Sequence, residues 1–97
     1  MEKLTFVYPA RTALASRAHV GVVASGDLEV LLEPASGRES WVTVTTSVDG
    51  FGVAWKSVLD RFFARFTAAA EVEINDFGAT PGLVMLRLEQ AVEALQP

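Results

Sequence analysis

Cysteine is absent from this chain of 97 residues, and its absence excludes several kinds of chemistry. A chain without cysteine has no disulfides, no thiolate metal site and no nucleophilic thiol of its own. Long apolar runs are missing too, since no stretch approaches the roughly 18 residues that a membrane-spanning helix needs. Pro9 and Arg11 interrupt the stretch where the apolar part of a signal peptide would lie. We therefore expect a cytoplasmic protein with no membrane partner.

Positive charge is also scarce. Eight Lys and Arg residues are scattered among twelve Asp and Glu residues, and the net charge is −4. A surface that binds nucleic acid needs clustered basic side chains, so no nucleic-acid partner is expected. His19 is the single histidine and has no second ligand at the spacing of a metal site, so no metal site is predicted. No motif resembles a nucleophile elbow, so no catalytic residue is predicted, and a small hydrolase is the weakest of the functions left open.

Apolar residues, by contrast, are abundant. They make up 51% of the chain, which is high against the roughly 45–50% of soluble domains. A chain of this length can form one hydrophobic core but not two, so residues 1–97 are predicted to form a single domain. Part of the apolar excess is expected on the surface, where exposed apolar area usually indicates a partner.

The first half of the chain has the alternation of β-strands. Apolar side chains recur with a period of two in residues 4–8, 18–24 and 28–32. Residues 41–45 are rich in β-branched and aromatic side chains, which also favours a strand. Ser25-Gly26-Asp27 separates the second and third segments, and this arrangement predicts a hairpin. Residues 35–38, Ala-Ser-Gly-Arg, predict a second turn.

The period then changes to that of helices. An apolar stripe predicts a first helix with Ser47 or Asp49 as its N-cap, and it comprises Phe51, Trp55, Val58, Leu59, Phe62 and Phe66. Thr80 and Pro81 are a typical N-cap and first residue of a second helix. The buried stripe of that helix is predicted to comprise Val84, Leu88, Ala91, Val92 and Leu95. Leu86 points away from this stripe and is a candidate for a subunit contact.

Between the two helices, residues 71–74 alternate glutamate with apolar side chains, which predicts one more strand with a solvated face. The order of elements predicts an α+β fold. We expect a two-layer sandwich, in which two helices lie on one face of a mostly antiparallel sheet of about four to five strands.

Ser25-Gly26-Asp27 has two interpretations. As a plain turn, Gly26 supplies a positive φ, and Ser25 and Asp27 favour turns through local hydrogen bonds. As a functional site, the same turn presents an exposed serine between small residues, where a second enzyme can reach the hydroxyl. Both interpretations predict the same backbone, so the local chemistry does not separate them.

Two motifs resemble the acyl carrier family of malonate decarboxylase. Residues 20–34, VGVVASGDLEVLLEP, resemble the modification region of that family. Residues 75–82, NDFGATPG, and residues 87–91, RLEQA, form the second motif, and TTSV at residues 45–48 matches between the two. The resemblance spans nearly the whole chain in the same order. Ala24 is a departure, because glycine often precedes the serine in the family, but alanine keeps the site small.

The resemblance implies that Ser25 is the covalent attachment residue for 2′-(5″-phosphoribosyl)-3′-dephospho-coenzyme A, with Gly26 and Asp27 as adjoining cofactor-binding residues. It implies a non-catalytic carrier subunit of malonate catabolism that presents acetyl and malonyl thioesters on this group. The implied partners are the transferase and decarboxylase subunits of malonate decarboxylase and the transferase that attaches the prosthetic group. Two alternatives stay open: the acyl carrier of a citrate lyase-type complex, which has the same prosthetic group, and an unmodified α+β interaction module.

Overall fold

Strands and helices follow one another in the order that the sequence predicts. The computed structural model describes residues 1–95, and the elements in that range are β1 (Glu2–Pro9), β2 (Thr12–Ala13), β3 (Ala18–Gly21), β4 (Leu28–Pro34), β5 (Glu39–Thr46), α1 (Gly52–Phe63), β6 (Ala68–Asp76) and α2 (Pro81–Ala94).

The sheet has the strand order β1-β5-β6-β4-β3, and β2 pairs with β6 beside this path. Three pairs are antiparallel, namely β1–β5, β3–β4 and β4–β6. The β5–β6 pair is parallel, because α1 carries the chain back over the sheet between these strands. The predicted α+β fold is confirmed. The sixth strand is the two-residue β2, which is too short to leave an alternation in the sequence.

Both helices pack on one face of the sheet. α2 contacts β3 and β4, and α1 contacts α2 and β1. Buried side chains alternate with less buried ones along most of β4, β5 and β6, as the period of two predicts. The core joins this face to the buried stripes of the helices, and its members include Leu28, Val30, Leu32, Val42, Val44, Ile74, Trp55, Leu59, Phe62, Val84 and Leu88. The other face of the sheet bears His19, which hydrogen-bonds Glu29 at 2.9 Å as a strand residue opposite the core.

The two helix starts differ. Thr80 Oγ1 accepts a hydrogen bond from Leu83 N at 3.2 Å, and Pro81 is the first helical residue, so the predicted start of α2 is confirmed. The predicted cap of α1 is wrong, because Phe51 is the N-cap and no side chain caps it. Gly50, with a φ of +88°, places a turn between the helix and the predicted capping residues Ser47 and Asp49. As a result Phe51 is 53% exposed, although its spacing predicted a place in the core.

Candidate functional site around Ser25

Ser25 lies in the turn that joins β3 to β4. Asp27 N donates a hydrogen bond to Ala24 O at 3.0 Å, which closes a β-turn with Ser25 and Gly26 as its central residues. Gly26 has a φ of +77°, in the region that L side chains rarely adopt. The side chain of Ser25 is exposed at the tip of this turn. The predicted hairpin is therefore confirmed.

The Ser25 turn is fixed to the segment that follows β6. Gly26 N donates to Phe77 O at 2.7 Å, and Phe77 N donates to Asp27 O at 2.9 Å. The next residue, Gly78, lies so close that a Cβ built on it would be 3.9 Å from Gly26 N. These contacts join the two sequence motifs, which lie about fifty positions apart in the chain, at one end of the sheet.

Asp27 connects the turn to α2. Its Oδ1 accepts hydrogen bonds from Leu28 N at 2.7 Å and from Arg87 Nε at 3.2 Å, and its Oδ2 accepts one from Arg87 Nη2 at 3.0 Å. Arg87 Nη1 in turn donates to Gln90 Oε1 at 2.9 Å. The hydrogen bonds from Arg87, followed by that from Leu28 N, hold the pKa of Asp27 below its ordinary value. Asp27 is thus an ionised anchor of the turn, held by the two-pronged guanidinium contact.

A buried hydrogen-bonded pair braces the neighbouring loops. Asp76 is 4% exposed and accepts from Thr46 Oγ1 at 2.8 Å and from Ala79 N at 3.0 Å. Thr46 Oγ1 also accepts from Val48 N at 3.1 Å. A buried polar group without a hydrogen-bond partner raises the free energy of the folded state, so breaking these bonds is unfavourable. The bonds therefore fix the ends of β5 and β6 relative to the start of α2.

Asp76, Thr46 and Arg87 lie within the motifs that resemble the family, but no role was predicted for any of them. One signal for Asp76 is present in the sequence, since it continues the inward alternation of Val72 and Ile74 with a charged residue. A charged residue at a core position of a strand indicates a buried hydrogen-bond network. The Asp27–Arg87 contact has no comparable signal, because its partners are separated by 60 positions.

A cavity of about 320 Å³ opens beside the Ser25 turn. It lies between the first turns of α1 and α2 and the ends of β5 and β6, and its lining includes Trp55, Phe51, Thr46, Asp76 and Gly78. The end of the molecule that holds Ser25 also exposes several large apolar side chains. These are Val22, Val23, Val48, Phe51 and Val53. Part of the apolar excess thus lies on the surface, as expected.

Two further features bear on the sequence predictions. Within residues 1–95, no three His, Cys, Asp or Glu side chains are grouped so that they could hold a metal ion. None of the helices in this range is long and apolar enough to cross a membrane. The cytoplasmic location stays a prediction.

Curated relatives resemble the chain over nearly their full length. The malonate decarboxylase acyl carrier protein of Pseudomonas aeruginosa strain UCBPP-PA14 is 56% identical over 94 residues, which cover 96% of this chain and 95% of the relative. The acyl carrier protein of the same name from Azotobacter vinelandii is 51% identical over the same shares of the two chains. That of Pseudomonas putida is 48% identical over 98% of this chain and 97% of the relative.

A solved structure and a family model agree with these relatives. A chain in the crystal structure of a Pseudomonas malonate decarboxylase hetero-tetramer in complex with malonate superposes with a TM-score of 0.94. It is 47% identical, and the match covers 99% of this chain and 100% of that one. The family model described as the malonate decarboxylase delta subunit, an acyl carrier protein, matches residues 15–95. The chain therefore belongs to the family of malonate decarboxylase acyl carrier proteins.

Proposed function

We propose that this chain is the covalent acyl carrier of a malonate decarboxylase, with 2′-(5″-phosphoribosyl)-3′-dephospho-coenzyme A (the prosthetic arm) attached to Ser25 through a phosphodiester. The observation that carries the proposal is the exposed side chain of Ser25 at the tip of a fixed turn. The backbone of this turn is hydrogen-bonded to Phe77, and its Asp27 side chain is hydrogen-bonded to Arg87. The prosthetic arm supplies a thiol that forms acetyl and malonyl thioesters, and this Cys-free chain has no thiol of its own.

The residues around Ser25 fit a bulky phosphodiester substituent. A Cβ built on Gly26 would meet no atom within 4 Å, so the space beside the serine is open. Ala24 and Gly26 are small and exposed, which leaves room for the enzyme that attaches the group. The guanidinium of Arg87 compensates the charge of Asp27, so a phosphate on the neighbouring serine does not face an unpaired carboxylate.

In this proposal the chain makes and breaks no bonds of the substrate. It anchors the prosthetic arm at a fixed point and presents the thioester to the transferase and decarboxylase subunits in turn. A flexible tether raises the effective concentration of the acyl group at each active site. Two observations support this role: the related chain of known structure comes from a hetero-tetramer, and the Ser25 end of this chain exposes apolar side chains suited to partner contacts.

Intact-mass measurement tests the proposal. The chain is produced together with the enzymes of its own operon, and the fragments that contain Ser25 are sequenced by tandem mass spectrometry. We expect an added mass equal to the prosthetic arm, located on Ser25. An unmodified Ser25 from cells that are actively degrading malonate would contradict the proposal and would favour an unmodified interaction module.

A further inference from the structure

The cavity lies at the same end of the molecule as the Ser25 turn. Gly78 lies in its wall and approaches Gly26, the residue after the attachment serine. The adjoining backbone is closed by the hydrogen bond from Gly26 N to Phe77 O at 2.7 Å. A group attached to Ser25 therefore starts one residue away from Gly26, which lies against the Gly78 wall of the cavity.

The lining of the cavity is aromatic and apolar on several sides. Trp55 is 7% exposed and lines it from the first turn of α1, and Phe51 lies at its edge. Val58, Pro81 and Val84 complete the apolar part of the wall. Nucleobases stack on aromatic side chains, since every base has a π-face. A volume of about 320 Å³ lies at the small end of the range of ligand pockets, which is about 300–1,000 Å³.

Two polar side chains also line this apolar cavity. The carboxylate of Asp76 accepts one hydrogen bond at each oxygen, from Thr46 Oγ1 and from Ala79 N. A carboxylate oxygen can accept more than one hydrogen bond, so the oxygens of Asp76 retain acceptor capacity. An amino group such as N6 of adenine is a donor that matches this capacity. A few fixed polar groups in an apolar pocket determine how a ligand is oriented.

We propose that this cavity, which we call the adenine pocket, binds the adenine ring of the prosthetic arm in the resting carrier. The inference rests on the proposed attachment at Ser25. The phosphoribosyl group links Ser25 to the adenosine, so the adenine, which is the aromatic group of the arm, follows this short link, and the pantetheine thiol is at the far end. Binding of the adenine in the pocket fixes the attached end of the arm. The acyl end stays free to reach partner subunits.

The two tryptophans allow a direct test. Trp55 lines the adenine pocket, whereas Trp41 is 48% exposed on β5 and does not line it. Two variants of the full chain, Trp41→Phe and Trp55→Phe, each retain one tryptophan. Each variant is prepared with and without the prosthetic arm, and the state of Ser25 is verified by intact mass. We expect the arm to reduce the fluorescence of Trp55 through stacking, to leave that of Trp41 unchanged, and to give nuclear Overhauser contacts between adenine protons and the Trp55 indole.

A matched pair of substitutions sharpens the test in the Trp41→Phe background. Ala54→Leu adds a side chain to the pocket wall, while Val53→Leu changes the preceding residue, which is 87% exposed and outside the lining. Ala54→Leu is expected to abolish the fluorescence difference between the loaded and unloaded chains, and Val53→Leu to retain it. Unchanged Trp55 fluorescence in a mass-verified loaded chain would overturn the adenine pocket alone. An unmodified Ser25 would overturn the attachment and the pocket together.

Discussion

The chain contains the sequence Ala-Ser-Gly twice, at the two ends of β4, and only one of these turns is the candidate site. Both Ser25 and Ser36 are exposed. Gly26 and Gly37 have positive φ values of +77° and +87°, and a Cβ on either glycine would meet no atom within 4 Å. The two turns therefore share their tripeptide, their exposed serine and their positive-φ glycine.

The two turns differ in their long-range contacts. At the first turn the fourth residue, Asp27, makes side-chain hydrogen bonds to Arg87 of α2, and Gly26 is hydrogen-bonded to Phe77. At the second turn the fourth residue is the exposed Arg38, whose carbonyl oxygen accepts from Ala10 N at 2.8 Å. The Ser25 turn thus lies against α2 and a cavity. The comparison shows that the environment of a serine, more than its tripeptide, distinguishes the candidate site.

The largest expected difference between the turns is in modification. Ser25→Ala should abolish attachment of the prosthetic arm, because it removes the only hydroxyl that the proposal uses. Ser36→Ala should leave attachment complete, although it alters the same tripeptide. Intact mass after co-expression with the attachment enzymes measures both variants. Modification of the Ser25→Ala chain would show that the carrier residue lies elsewhere.

Each end of the sheet has a buried side chain that accepts hydrogen bonds, Asp76 near the first turn and Ser40 near the second. Loss of either side chain should lower the stability of the fold to a similar degree. Asp76→Ala leaves the hydroxyl of Thr46 and the amide of Ala79 without their acceptor. We expect a loss of about 1–3 kcal/mol in the free energy of unfolding. Ser40→Ala, near the second turn, removes the hydroxyl that accepts from Ala70 N at 3.0 Å, with an expected loss in the same range of about 1–3 kcal/mol.

Urea unfolding measures both losses, and amide hydrogen exchange distinguishes the two ends. Only Asp76→Ala should speed the exchange of the Gly26 amide, because only Asp76 braces the loops around the Ser25 turn. The control is Glu73→Ala, an exposed position on the same strand, with an expected change within about 0.5 kcal/mol. Equal loss of Gly26 protection in Ser40→Ala would mean that general destabilisation explains the effect.

A smaller, pH-dependent difference is expected at the fourth residue of each turn. The pKa of Asp27 is lowered in the folded chain, so its contribution to stability is present above the ordinary value of 3.8 and is lost as the pH falls through the folded-state pKa. Asp27→Asn should therefore destabilise the chain at neutral pH, and its difference from the native chain should shrink in acid. Because the pair is partly exposed, added salt should also reduce the difference.

Urea unfolding at neutral and acidic pH checks this expectation. Arg38→Gln is the matched control, since Arg38 is exposed and has the same position in the second turn as Asp27 in the first. A destabilisation by Asp27→Asn that is equal at both pH values would assign the effect to packing and would contradict the role of the ion pair.

The smallest expected effect is on the titration of Tyr8, the only tyrosine of the chain. Tyr8 pairs with Ser40 in the half of the sheet nearer the second turn. Burial, followed by the hydrogen bond that its hydroxyl donates to Asp60 Oδ1 at 2.7 Å, raises the pKa of Tyr8 well above its ordinary value. Its contribution to stability is present below the ordinary value of 10.0 and is lost as the pH rises through the folded-state pKa. Tyrosinate absorbance should therefore develop at higher pH in the folded chain than in the urea-unfolded chain, and coincident titrations would contradict the effect of partial burial and of the Asp60 hydrogen bond on Tyr8.

Local periodicity predicts much of this fold, and it fails where distant segments meet. The strands, the stripe of α2 and its Thr80 cap follow from nearest-neighbour patterns, since each depends on side chains within a few positions. The cap of α1 was predicted wrongly, because Gly50 inserts a turn that the stripe of Phe51 does not reveal. The parallel β5–β6 pairing and the Asp27–Arg87 contact were not predicted from the local pattern, because both join residues far apart in sequence.

Local patterns were also insufficient to predict the candidate site. Turn chemistry alone did not separate a plain turn from a functional site at Ser25, and it was the family resemblance over two distant motifs that singled Ser25 out. The structure gives the physical reason, since the residues 77–78 of the second motif contact the turn of the first. The supporting network of Thr46 and Asp76 could have been suspected from a charged residue at a core position of β6.

The central place of β6 has a consequence for how the protein is made. Among the strands of residues 1–95, β6 alone joins the β1–β5 half of the sheet to the β4–β3 half, and it is the last of them to leave the ribosome. Until it arrives, a nascent chain has two unjoined strand pairs with open edges, which are prone to mispairing. The Ser25 turn also waits for this strand, because its partners Phe77 and Arg87 are synthesised later still. If Ser25 is modified as proposed, an enzyme that recognises the fixed turn finds it only after the chain has been synthesised beyond Arg87.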